Sequence, residues 1–139
     1  MSNQAEPILD LEALVPTTVT CERLGKAGFP QCVTWIYVDR GRGPDLRLRG
    51  SLRGQTFDVS DRVLPAPTAA ELGRVLPLKV RYEGVPHFLS LDPRSAYYIT
   101  EDDRMMLAQK TARTEAEARA RLWLHLESEG LLLGDNITK

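Results

Sequence analysis

The spacing of apolar residues divides the chain into alternating helical and extended stretches. Near the start, Ile8, Leu9, Leu11, Leu14 and Val15 form one short apolar group closed by Pro16. Residues 1–16 are read as an N-terminal arm, either packed on the main body or pairing with another subunit. A first helix is expected from Thr18 or Thr20, whose side-chain oxygens can accept from first-turn amides. Leu24 and Ala27 face inward, Gly28 suits the left-handed position after a helix, and Phe29 folds back onto Leu24. Pro30 prevents continuation. Cys32 to Val38 is rich in β-branched and aromatic residues on both faces, which predicts a central strand. Asp39 to Pro44 reads as a turn. Leu46 to Leu52 then alternates leucine with arginine, predicting a half-exposed antiparallel strand with Arg47, Arg49 and Arg53 on one face. Gln55 to Val59 fits a third, shorter strand.

Thr68 and Glu71 have the spacing of a capping box and open a short second helix with Leu72, Val75 and Leu76 as its apolar stripe. Pro77 ends it. Leu78 to Glu83 and Phe88 to Leu91 read as strands around a Glu83-Gly84 turn, and Ala96 to Thr100 follows the Asp92-Pro93 turn. Arg104 to Gln109 fits a strand or a helix. Thr114 and Glu117 form a second capping box, opening a long amphipathic helix with Ala116, Ala120, Leu122, Trp123, Leu124 and Leu126 on one side. Gly130 stops it, and Leu131 can close back onto Leu126.

Sequential strands joined by tight turns, with helices between them, imply an α+β domain: two antiparallel meanders packed against two or three helices. At 139 residues the chain suits one domain, taken as 17–134, with 135–139 as a polar tail. A hydrophobic fraction of 42% and net charge of −1 exclude wholesale disorder and argue against a polyanion binder working through bulk electrostatics. No apolar run is long enough to span a bilayer, and Met1 to Pro7 lacks the features of a secretory signal. A cytoplasmic, non-secreted protein is expected. Cys21 and Cys32 are the only cysteines, without CxxC spacing, and read as small core residues.

Three blocks carry a likeness to known sequences: Leu24 to Gln31 passing into an aromatic strand, Pro65 to Pro77 before a strand pair, and Thr114 to Leu124. In this order, and over roughly this length, they resemble small uncharacterised proteins of phages, prophages and mobile elements. The resemblance implies an α+β fold and a phage-like origin. It implies no activity and offers no catalytic residues to carry over. The arginine-rich segment from Asp39 to Arg53 departs from that pattern.

Candidate chemistry is sparse. His125 falls on the polar side of the last helix, and His87 follows Pro86 in phase with Leu89 and Leu91, which fits a structural role. Neither has the spacing of a triad or metal site. Glu101-Asp102-Asp103 reads as a solvated turn, and no phosphate-binding glycine loop is present. No cofactor or metal is expected. The basic stretch 40–54 stands out: Arg40, Arg42, Arg47, Arg49 and Arg53 against Asp45 alone, a local charge of +4. Three uses fit it. It can be a solvated edge that resists aggregation, a surface for an acidic protein partner, or a ribbon for phosphates with Trp35 and Tyr37 as stacking surfaces. The leading expectation is a small non-enzymatic interaction protein, either an accessory component of a particle or an inhibitor of a host system. The alternative is a nucleic-acid-binding module using the same hairpin.

Overall fold

The computed structural model describes residues 11–30, 33–57, 60–132 and 137–138. Helix α1 (Thr18–Lys26) is capped by Thr17, one residue before the expected start, where the hydroxyl accepts from Thr20 N at 3.3 Å. Thr20 is no cap because it is buried inside the helix and donates elsewhere. The other end forms as expected. Phe29 N donates to Leu24 O at 2.9 Å and Gly28 N to Gly25 O at 3.2 Å, with Gly28 at a φ of 81°.

The first sheet holds β1 (Trp35–Asp39), β2 (Pro44–Leu48) and β3 (Arg62–Ala66), all antiparallel, in the order β2-β1-β3. β1 is the expected central strand, shortened at its start; Cys32 lies outside the described residues. β2 stops at Leu48, and a 3-10 turn over Arg49–Leu52 carries the chain away. Arg49 and Arg53 therefore do not continue the strand face of Arg47, contrary to the alternation in the sequence. The third strand is also displaced. Gln55 to Phe57 is irregular, and Asp58 and Val59 lie outside the described residues, whereas Arg62–Ala66 pairs with the free edge of β1. Pro65 is tolerated there because β3 is an edge strand in its sheet. Its ring packs against α1, where a Cβ on Gly25 would lie 3.4 Å from Pro65 Cδ.

Helix α2 (Ala69–Val75) opens with the expected reciprocal capping box between Thr68 and Glu71. The second sheet follows: β4 (Lys79–Tyr82), β5 (Val85–Leu91), β6 (Ser95–Ile99), β7 (Met106–Thr111) and β8 (Ile137–Thr138), ordered β7-β6-β5-β4-β8. β4 to β7 make a true meander, and the Met-Leu-Ala segment is a strand. Glu83 and Gly84, at φ of 51° and 79°, supply the hairpin turn. Ile137 and Thr138, expected in a polar tail, pair with β4 instead.

Helix α3 (Glu115–Ser128) packs on β6 and β7 of the second sheet and against α1 and α2. It is buried beyond the expected stripe, because Glu117 and Ala118 are inside as well as Ala116, Ala120, Leu122, Trp123 and Leu126. The main core joins Leu24, Ile36, Leu72, Val80, Tyr98 and Leu122, and so draws on both sheets and all three helices. Val15, Cys21, Tyr37 and Ala66 form a smaller cluster on the opposite face of β1. Val15 and Pro16, the end of the expected arm, are therefore part of the body; residues 1–10 lie outside the described residues. Trp123 meets the edge of Phe29 with ring centroids 5.0 Å apart, joining the end of α1 to α3.

The second capping box forms only by half. Thr114 Oγ1 accepts from Glu117 N at 3.2 Å, but the Glu117 carboxylate turns to another helix. It accepts from Thr17 N at 2.8 Å, from Thr20 Oγ1 at 2.5 Å and from Arg121 Nε at 2.8 Å. Burial alone would raise its pKa; these bonds and the Arg121 charge outweigh that and hold it below the usual carboxylate range.

Candidate binding surface on the arginine hairpin

The β1–β2 hairpin is shaped by its own loop. Asp39 Oδ1 accepts from Gly41 N at 2.9 Å and Gly43 N at 3.3 Å. Both glycines have positive φ, 98° and 100°, which side chains with a Cβ resist. This loop places Arg40 and Arg42 beside Arg47 of β2. The following segment folds back beneath the sheet, where Leu52 packs partly against the main core. Arg49 N donates to Thr34 O at 2.8 Å and ties the 3-10 turn to the run into β1.

Between hairpin and returning segment lies an open hollow of about 400 Å³. Arg40, Arg42 and Arg47 line it with Asp45, Gln55 and Leu52. Arg40 donates to Gln55 Oε1 at 2.9 Å, and its guanidinium lies 4.8 Å from the centre of the Phe57 ring. Arg47 and Asp45 approach to 3.6 Å as an exposed pair, worth at most about 1 kcal/mol. Arg42 has no hydrogen-bond or ion-pair partner among the described residues. Arg49 and Arg53 line a separate, more apolar groove with Leu48 and Leu52. Of the five arginines, three converge and two flank. Leu52 and Gln55 are also part of the surface, and nothing in their spacing marks them.

The hollow is lined by guanidinium, carboxylate and amide groups, with no histidine, cysteine or hydroxyl among its lining residues. It can hold an anionic group by charge-assisted hydrogen bonds from its guanidinium groups. His87 is buried, and its Nδ1 donates to Val85 O at 2.9 Å beside Tyr82, a structural arrangement. The acidic run forms a turn in which Asp102 accepts from Thr100 Oγ1 at 2.6 Å and Arg104 N at 3.1 Å. Those bonds hold its carboxyl below the usual range. No group of metal-ligating side chains occurs among the described residues, and none of their helices is long and apolar enough to cross a membrane. Trp35 and Tyr37 pack in the smaller core cluster, so they are not stacking platforms for a hairpin ligand.

Compared with known protein families, curated proteins and solved structures, the chain matches none.

Proposed function

We propose that this chain is a small non-enzymatic interaction protein of phage or mobile-element type, whose β1–β2 hairpin receives an acidic surface of a protein partner. The observation that carries this reading is the convergence of Arg40, Arg42 and Arg47 on one hollow, in a chain of net charge −1. Leu52, half-buried, lines that hollow, and Leu48, 47% exposed, lies in the neighbouring groove with Arg49 and Arg53, so the hairpin carries apolar as well as basic groups. Arginine set among apolar contact area is the chemistry of protein interfaces. A phosphate backbone would engage the guanidinium groups and leave Leu48 in water. The phage origin, and the roles of particle component or host-system inhibitor, rest on the likeness of the three sequence blocks.

A nucleic-acid reading is favoured by one observation, the exposed Phe57 beside Arg40, which supplies a ring near phosphate-binding groups. Purification of the tagged protein from the cell that naturally carries it, with and without nuclease, separates the two. A stoichiometric protein partner that survives nuclease is expected. Nucleic acid in the eluate, with partners lost on digestion, transfers the hairpin to phosphate binding.

A further inference from the structure

A second basic surface lies where α1, α3 and β7 meet in an open groove of about 630 Å³. Arg23 of α1, Lys110 of β7, and Arg121 and His125 of α3 line it. None of these residues belongs to the arginine-rich stretch of the sequence, and three separate elements bring them together. The side chains of Arg23 and Lys110 have no hydrogen-bond or ion-pair partner among the described residues. Arg121 is held in place from below: its Nε donates to the buried Glu117 carboxylate at 2.8 Å, and Nη1 reaches Thr111 O at 3.4 Å. The floor hydroxyls of Thr17 and Thr20 are engaged with each other and with Glu117. Ser128 donates to His125 O at 2.8 Å. The donors left for a ligand are therefore the cationic heads.

We propose that this groove is a second binding site, which takes a dianionic oxyanion group, phosphate or sulfate, between Arg23, Lys110 and Arg121. The charge balance favours it. Glu117 lies beneath the floor with its charge met by Arg121, and the Glu129 carboxylate acts on His125. A dianion with three oxygens facing the groove can accept from an ammonium and two guanidinium groups at once.

His125 supplies the readout. Burial and the nearby Lys110 charge lower its pKa, while Glu129 acts in the other direction; Arg121 and Arg23 are the other charges that line the groove. An anion seated beside Lys110 offsets the repulsion that disfavours the imidazolium, so binding and protonation of His125 favour each other. Affinity then rises as pH falls through the His125 titration.

The test is titration of the full-length protein with sodium sulfate, which stays dianionic between pH 5 and 8, while the His125 imidazole is followed by NMR. Saturable binding is expected, with Kd on the order of 1 to 10 mM, together with an upward shift of the His125 titration. Arg23→Gln with Lys110→Gln weakens binding about tenfold or more, and the backbone spectrum reports that the fold is kept. Arg42→Ala with Arg47→Ala on the hairpin leaves the His125 response in place. Inorganic phosphate and O-phosphoserine distinguish a free ion from a phosphomonoester, and tighter binding of either identifies the source. A His125 titration that sulfate does not move, or a response unchanged by the Arg23 and Lys110 substitutions, overturns the proposal.

Discussion

Glu117 turns its carboxylate away from its own helix and onto the start of α1, where Thr17 N and Thr20 Oγ1 meet it. Its sequence spacing from Thr114 fits a capping box, yet α1 offers two donors, and Arg121 of its own helix a third, where the cap offers one amide. A carboxylate buried this far is stabilised only with those donors in place, so their loss is costly. Glu117→Gln is expected to destabilise the protein by ~2 to 3 kcal/mol at neutral pH, read by denaturant unfolding. The pH dependence follows from the direction of its pKa. A carboxyl whose folded pKa lies below its unfolded one contributes fully above the unfolded value and loses that contribution as pH falls through the folded one. Wild-type stability should therefore drop below roughly pH 4.3, and the glutamine variant should show a shallower acid slope. Glu71, also held low by Thr68 and Thr34 against the effect of burial, supplies part of what remains. Equal slopes in the two proteins contradict the assignment. Cys21 is the opposite case. Burial, aided by the Glu117 charge, pushes its thiol up to about 12, and its Sγ lies 3.5 Å from Pro16 O. Its thiol is expected to resist alkylation in the native protein and to react only after unfolding, as mass spectrometry can follow.

At the scale of elements, helix ends were written locally, as were β1 and β4 to β6, while β3 and the end of β2 were not. Gly28 and Gly130 each sit at positive φ, 81° and 70°, and each is followed by a residue whose amide closes back across the last turn. That grammar lies within six residues, so the sequence displays it. Gly28→Ala has room for its Cβ but strains the backbone, and is expected to cost about 1 kcal/mol, lowering Tm by a few degrees. A melting temperature equal to wild type would show that the turn relaxes at no cost. β3 and the end of β2 depended on partners. Gln55 to Val59 alternates well enough to suggest a strand, whereas Arg62–Ala66 contains a proline and suggests none. What decides is the open edge of β1, whose register places Pro65 opposite Ile36. Likewise, the leucine–arginine alternation continues past Leu48 in sequence, but the chain turns there and sends Arg49 and Arg53 to a neighbouring groove. Only the cluster of Arg40, Arg42 and Arg47 was legible in outline, because it lies within one hairpin. The α1–α3–β7 groove was not, since Arg23, Lys110 and Arg121 are far apart along the chain.

For the whole molecule, the α+β class with antiparallel sheets followed from the order of helices and turns. The order β2-β1-β3 of the first sheet did not, because it turns on which edge of β1 the chain returns to. The result is a near-neutral protein with a basic hairpin at one sheet edge and a second basic groove against α3. That distribution favours specific, local contacts over long-range attraction to polyanions. Accordingly, binding of the full-length protein to duplex DNA should be weak at physiological salt; tight binding that falls steeply as salt rises would instead mark phosphate contacts. The most direct test of the hairpin's role is calorimetry between the protein and its nuclease-resistant partner, with Arg42→Glu and Arg47→Glu introduced together. Both arginines are exposed, so the variant should melt with the wild type. An affinity loss of about tenfold or more is expected, with the fold unchanged. An affinity equal to wild type would contradict it and remove the hairpin from the interface.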